Sequence, residues 1–192
     1  MSAPRAHAVA VGASAGALEA LAAILPALPA DYPLPVLVVV HLPSDRKSLL
    51  AGLLQGKCRV VVKEAEDKEP IIGGSVYLAP PDYHLLVEPD RRLSLSGEEA
   101  VLFSRPSIDV LFETAAEAYG PALVGIVLTG ANRDGARGLR AIRDSGGVAL
   151  VQTPETALAS AMPEAALAAC PDASPMSLQE IADYLLGIVG RS

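Results

Sequence analysis

Three residue types that together make an acyl-transfer site each follow directly on a run that reads as a buried β-strand. His7-Ala8-Val9-Ala10-Val11 leads into Gly12-Ala13-Ser14. Val36-Leu37-Val38-Val39-Val40 leads into His41, and Leu123 to Leu128 leads through Thr129-Gly130-Ala131-Asn132-Arg133 into Asp134. In an open parallel sheet, ligands and chemistry lie just beyond the carboxyl ends of the strands. Three separate strands would therefore bring a nucleophile, a base and an acid to one edge, the composition of a hydrolase triad.

Each of the three also has a plainer reading. Gly12-Ala13-Ser14-Ala15-Gly16 matches G-x-S-x-G between a strand and a helix. Its small residues permit a sharp turn that exposes the hydroxyl, and helix amides at the same place favour developing negative charge. The same stretch could instead form a phosphate or dinucleotide loop, or merely cap the helix. A dinucleotide site of this kind wants Asp or Glu after the second strand. Here His41 stands there, followed by Leu42-Pro43, and no tyrosine has a lysine four residues on, which argues against a dehydrogenase. His41 suits a general base. His7 precedes the first strand, at the wrong edge, and His84 opens a hairpin and reads as structural. Asp134 could cap the helix that follows it, orient the imidazole, or do both. Glu64, Glu66, Asp67 and Glu69 alternate with Lys63 and Lys68 as a solvated face. No residue spacing suggests a metal site.

The elements that must position these residues alternate. A glycine turn is followed by a helix from Ala17 to about Leu28, where Pro26 and Pro29 end it. Val36 to Val40 is a continuous β-branched run, as in a strand buried on both faces. A helix is expected over Arg46 to Gln55, with short strands over Arg59–Val62 and Gly74–Leu78. His84–Glu88 and Leu93–Ser96 flank Pro89-Asp90-Arg91-Arg92 as an antiparallel hairpin, expected at the edge of the parallel sheet. Ser107 reads as an N-cap, with Asp109 placed well for the helix dipole. That helix ends near Tyr119. After the strand Leu123–Leu128 come a helix from Gly135 to Asp144, a strand Val148–Val151, and helices near Met162–Ala169 and Ser177–Val189. The pattern is α/β, a doubly wound, mostly parallel sheet, expected as one domain over residues 1–192.

Composition agrees. The 192 residues are 51% hydrophobic and 4% aromatic, enough for a sizeable core built of Ala, Val, Leu and Ile. Formal net charge is −7 with no basic block, which disfavours nucleic acid as a partner. Cys58 and Cys170 stand apart, as expected of thiols in a reducing compartment. Neither a signal peptide nor an apolar run of membrane-spanning length stands out, so a cytoplasmic protein is expected.

Taken in order, several segments resemble one family, the catalytic domain of the chemoreceptor protein-glutamate methylesterases (CheB-type). They are Val11-Gly12-Ala13-Ser14-Ala15-Gly16, Val40-His41-Leu42-Pro43, Tyr77 to Leu85, Arg105 to Phe112, Leu128-Thr129-Gly130, Asp134-Gly135-Ala136, Gln152 to Ala157 and Met162-Pro163. The resemblance implies hydrolysis of methyl esters on receptor glutamates, and deamidation of certain receptor glutamines, with no cofactor. It maps nucleophile, base and acid onto Ser14, His41 and Asp134. It makes methylated cytoplasmic receptor helices the partner. Backbone amides near Ala15, His41 and Ala131 become candidate oxyanion donors, with Asn132 in the same loop. The chain departs from the family pattern at Ala15, where Thr is usual, and at Ala131 and Asn132, where Met and Gly are usual. The usual N-terminal receiver domain is not seen before Val9, so either a stand-alone member or a fragment is expected, and this chain is expected to carry no phosphorylation-dependent gate of its own. A catalytically weak paralogue that serves as a binding or signalling module is the rival reading.

Overall fold

The computed structural model describes residues 5–41, 43 and 49–190. Its strands are β1 (Ala8–Ala13), β2 (Val36–Val40), β3 (Val61–Glu64), β4 (Ser75–Leu78), β5 (His84–Val87), β6 (Leu93–Ser96), β7 (Leu123–Val127), β8 (Val148–Gln152) and β9 (Ser174–Met176). The α-helices are α1 (Ala17–Ile24), α2 (Leu50–Gln55), α3 (Ile108–Tyr119), α4 (Ala136–Asp144), α5 (Ala161–Ala169) and α6 (Leu178–Gly187). Seven strands form one sheet in the order β3-β4-β2-β1-β7-β8-β9, and every neighbouring pair is parallel.

The central strands have few polar side chains because both their faces are covered. Along β1 and β2 the side chains alternate between two cores, as a period of two requires. Val9, Val11, Val36, Val38 and Val40 join the core that contains α1 and α6 residues such as Leu21 and Leu185. Ala8, Ala10, Leu37 and Val39 join the opposite core with Leu111, Phe112, Leu139 and Met162 of α3, α4 and α5. The chain winds outward from β1 through β2, then returns to lay β7 on the other side of β1. That reversal is the switch point at which open α/β sheets bind ligands. None of the described helices is long and apolar enough to cross a membrane.

Several details differ from the sequence pattern. The hairpin β5–β6 is not added to the sheet edge. It is a two-stranded sheet of its own, because Leu85, Val87 and Leu93 bury themselves in the α3 side of the core. It is tied there by a bond from the Val87 amide to Thr114 Oγ1 of α3 at 3.1 Å. The outermost strand β9 is only three residues long and carries Pro175 at its centre, a composition that hides a strand but suits an edge. Of the helix expected over Arg46–Gln55, α2 accounts for Leu50–Gln55, and residues 46–48 lie outside those described. The helix expected as far as Leu28 is α1 to Ile24 followed by a 3-10 turn at Leu25–Ala27.

Candidate active site

Ser14 and His41 stand at the same height because their strands are in register to the last residue, Ala13 opposite Val40. The ladder continues one step past each strand. The His41 amide donates to Ala13 O at 3.2 Å, and the Ser14 amide donates to Thr129 O at 3.0 Å on the β7 side. Gly16 then turns the chain into α1 with φ of 84°. Thr129 holds this turn from across the sheet: its Oγ1 donates to Ala15 O at 2.8 Å and accepts from the Ala159 amide at 3.0 Å. The Ser14 hydroxyl oxygen accepts from the Ala131 amide at 3.0 Å. Gly130 makes that approach possible, since a Cβ there would lie 2.6 Å from Ser14 Oγ and 2.5 Å from Met162 Cε.

His41 Nε2 donates to Asp134 Oδ2 at 2.7 Å, with Asp134 fully buried. The same carboxylate is gripped on both oxygens. Oδ2 also accepts from the Ile108 amide at 2.7 Å, and Oδ1 accepts from Ser107 Oγ and the Asp109 amide, each at 3.0 Å. Four donors therefore saturate one carboxylate, and three of them come from the first turn of α3. Asp134 caps α3, not the helix that follows it. The cap position of α4 is Gly135 at φ of 96°, so the alternative in which Asp134 caps its own helix is overturned. Ser107 does occupy the N-cap position of α3, but its hydroxyl is turned onto Asp134 and makes no cap bond of its own.

The exchange is reciprocal. Asp109, in the first turn of α3, accepts on Oδ1 from the Gly135 amide at 3.0 Å and the Gly138 amide at 2.7 Å, and so caps α4. Each helix lends the other a carboxylate, which suits the positive end of a helix dipole. The two respond differently to burial. Burial pushes Asp134 up, but the hydrogen bond from His41 and those from the Asp109 and Ile108 amides outweigh it and hold it below the usual carboxylate range. For Asp109, burial wins over the pull of the Gly138 amide. With the Asp134 charge beside it, its carboxyl is pushed up to about 6.

Asp134 takes Nε2 of His41, so Nδ1 is the nitrogen left for a proton from a nucleophile. Asn132 faces it: Nδ2 donates to His41 Nδ1 at 3.4 Å, while Oδ1 accepts from the Asp134 amide at 3.0 Å. The second bond fixes which end of the amide faces the imidazole. No hydrogen bond joins Ser14 and His41 directly among the described residues. Of the backbone donors expected around an oxyanion, the Ala131 amide points at Ser14 Oγ, whereas the His41 amide is spent on Ala13 O. That removes His41 from the donor set. Ala15 enters the bonding through its carbonyl, to Thr129. His84 is buried and structural: Nε2 donates to Glu99 O at 2.9 Å and Nδ1 accepts from the Ser107 amide at 3.1 Å. The sequence reading assigned no role in the site to Thr129, Gly130 or Ser107, and gave Asp109 only its own helix dipole. A cleft of about 760 Å³ opens beside His41, with Pro43, Asp82, Phe103 and Arg105 in its lining. Among the described residues, no group of three or more His, Cys, Asp or Glu side chains is disposed to hold a metal ion.

Fold and edge together define the class: an open α/β protein with a serine, an imidazole and a buried carboxylate beyond the ends of three strands at its switch point. Residues 9–185 match the family model of the CheB methylesterases. A Leptospira interrogans protein, provisionally named protein-glutamate methylesterase/protein-glutamine glutaminase, is 46% identical over 180 residues, covering 94% of this chain and 93% of that one. The protein-glutamate methylesterase/protein-glutamine glutaminase of Archaeoglobus fulgidus is 40% identical over 162 residues, which are 83% of this chain and 46% of the relative, so the chain spans about half of that longer protein. The crystal structure of the Thermotoga maritima CheB methylesterase catalytic domain superposes with a TM-score of 0.91 at 29% identity, covering 96% of this chain and all of that one. The chain belongs to the CheB methylesterase family.

Proposed function

We propose that this chain is a serine esterase that removes methyl groups from glutamate side chains on the cytoplasmic helices of chemoreceptors, with residues 1–192 as one catalytic domain in the cytoplasm. The observation that carries this is the fixed orientation of His41. Asp134 binds Nε2 at 2.7 Å, which leaves Nδ1, the nitrogen turned away from the carboxylate and facing Asn132, as the one to take a proton. Ser14 Oγ attacks the ester carbonyl and gives its proton to His41 Nδ1. The buried Asp134 stabilises the imidazolium so formed. The Ala131 amide, already aimed at Ser14 Oγ, donates to the oxyanion of the tetrahedral intermediate. Collapse breaks the ester C–O bond, and the proton on His41 leaves with methanol. Water then adds to the acyl-enzyme with His41 again as base, releasing the glutamate carboxylate and restoring Ser14. With a glutamine the leaving group is ammonia. No cofactor enters these steps.

One observation favours the rival reading of a weak paralogue. Asn132 faces the very nitrogen that Ser14 needs. Release of methanol from methylated receptor helices, together with labelling of Ser14 by a fluorophosphonate, separates the two. An active esterase does both, and a binding module releases no methanol.

A further inference from the structure

Phe103 is the most exposed large apolar side chain among the described residues, wholly open to solvent, and it lines the same cleft as His41. Its backbone is also one that a phenylalanine seldom adopts. Val101 and Ser104 exchange both main-chain hydrogen bonds, at 3.0 and 2.9 Å, across a two-residue turn. Leu102 and Phe103 at its centre have φ of 49° and 64°. Turns with left-handed backbone at both central positions belong to Asn-Gly and Asp-Gly pairs, which enter that region readily. Leucine and phenylalanine are strained there, and the aromatic ring buries nothing in return.

The turn is nevertheless braced. Arg105 Nη1 donates to Gly97 O at 2.9 Å and Glu98 O at 3.1 Å, while Nε and Nη2 donate to Asp82 Oδ1 at 3.0 and 2.6 Å. His84 Nε2 holds Glu99 O on the near stem. The ring is thus presented from a fixed mount beside the base. Strained backbone that its surroundings hold in place clusters at binding sites. The same bonds settle which kind of contact the cleft rim offers. Among the described lining residues the arginine is already paired with Asp82, and the aromatic ring is the large apolar handle beside it.

We propose that Phe103 is a specificity-determining contact of this active site, one whose ring seats against an apolar side chain of the substrate helix beside the esterified glutamate. The inference rests on the receptor reading above and deepens it. On a helix, side chains three and four positions apart share a face and lie about one 5.4 Å turn from each other. An apolar neighbour on that face is the group Phe103 would meet while Ser14 attacks the ester. A small free ester has no such neighbour, so Phe103 selects for a folded helix.

The test compares wild type, Phe103→Ala and Phe103→Gly on two substrates: methylated receptor helices, read by methanol release, and p-nitrophenyl acetate. Both variants are expected to lower the ratio of receptor to small-ester kcat/KM at least ten-fold, chiefly through KM for the receptor. Phe103→Gly is also expected to melt above wild type, because glycine relieves the left-handed strain. An unchanged ratio in both variants overturns the inference. So does an equal loss on the two substrates, which would place Phe103 in the chemistry or the fold. A wild-type chain that cleaves the small ester but leaves the methylated receptor untouched overturns the receptor reading itself, and this inference with it.

Discussion

Among the described residues the Ser14 hydroxyl makes one hydrogen bond, from the Ala131 amide. Losing such a bond costs about 1 kcal/mol, small against the ~5–15 kcal/mol that holds a typical domain together. Ser14→Ala is therefore expected to melt within a few degrees of wild type while ester hydrolysis falls by orders of magnitude. Hydrolysis that survives in a variant that melts much earlier would make Ser14 structural. Asn132 poses the opposite question, since its Nδ2 competes with Ser14 for His41 Nδ1. Asn132→Gly should raise kcat several-fold with little change in KM, read on methylated receptor helices. An unchanged kcat would confine Asn132 to its bond with the Asp134 amide. Neither feature of this residue was legible beforehand. The sequence marks Asn132 as a departure from a family pattern, but which end of its amide faces the imidazole depends on one backbone donor two residues on.

At the scale of elements, the carboxylate exchange between α3 and α4 decides how the acid is held. Three runs of buried residues were enough to place β1, β2 and β7, and with them the strand ends that carry Ser14, His41 and Asp134. The exchange was not legible in the same way. Cap residues are read from their neighbours in sequence, and here the cap of each helix is borrowed from some 25 residues away. Close approach of the helices makes the loan possible, with a Cβ on Gly138 falling 3.1 Å from Asp109 Cα. The exchange also has a pH signature. In the unfolded chain Asp109 is ionised above about pH 4, but in the fold its carboxyl is raised to about 6. Between those values the native state binds more protons, so this residue's contribution is fully present at low pH and is lost as pH rises through 6. The displacement is worth on the order of 3 kcal/mol. Asp134 works the other way. Its depressed value contributes stability above about pH 4, lost as pH falls further. Wild type should therefore gain melting temperature from pH 7 to pH 5. Asp109→Asn keeps an oxygen for the Gly135 and Gly138 amides but cannot titrate, so its curve should be flatter over that interval. Identical slopes in the two proteins would show that another group titrates.

Across the whole molecule, the sheet separates two cores that stand in different relations to the site. One lies under α1 and α6 and supports the strands from below. The other contains α3, α4 and α5 and the separate hairpin, and its helix α3 carries the amides that grip Asp134. Equal damage to the two cores should therefore have unequal effects on catalysis. Leu185 in α6 and Leu111 in α3 are both fully buried, and replacing either by alanine typically costs about 2–5 kcal/mol through lost burial and a residual cavity. Both variants should melt earlier by comparable amounts. At a temperature where both remain folded, Leu185→Ala should keep most of the wild-type kcat on methylated receptor helices. Leu111→Ala should lose far more, because a shift of α3 moves the donors that fix Asp134 and, through it, His41. Positioning errors of about 1 Å can cost a hundred-fold in rate, so the contrast should be large. Equal losses of kcat in the two variants would mean that the edge site responds to global stability alone, and that the grip of α3 on Asp134 has no special part in holding the base.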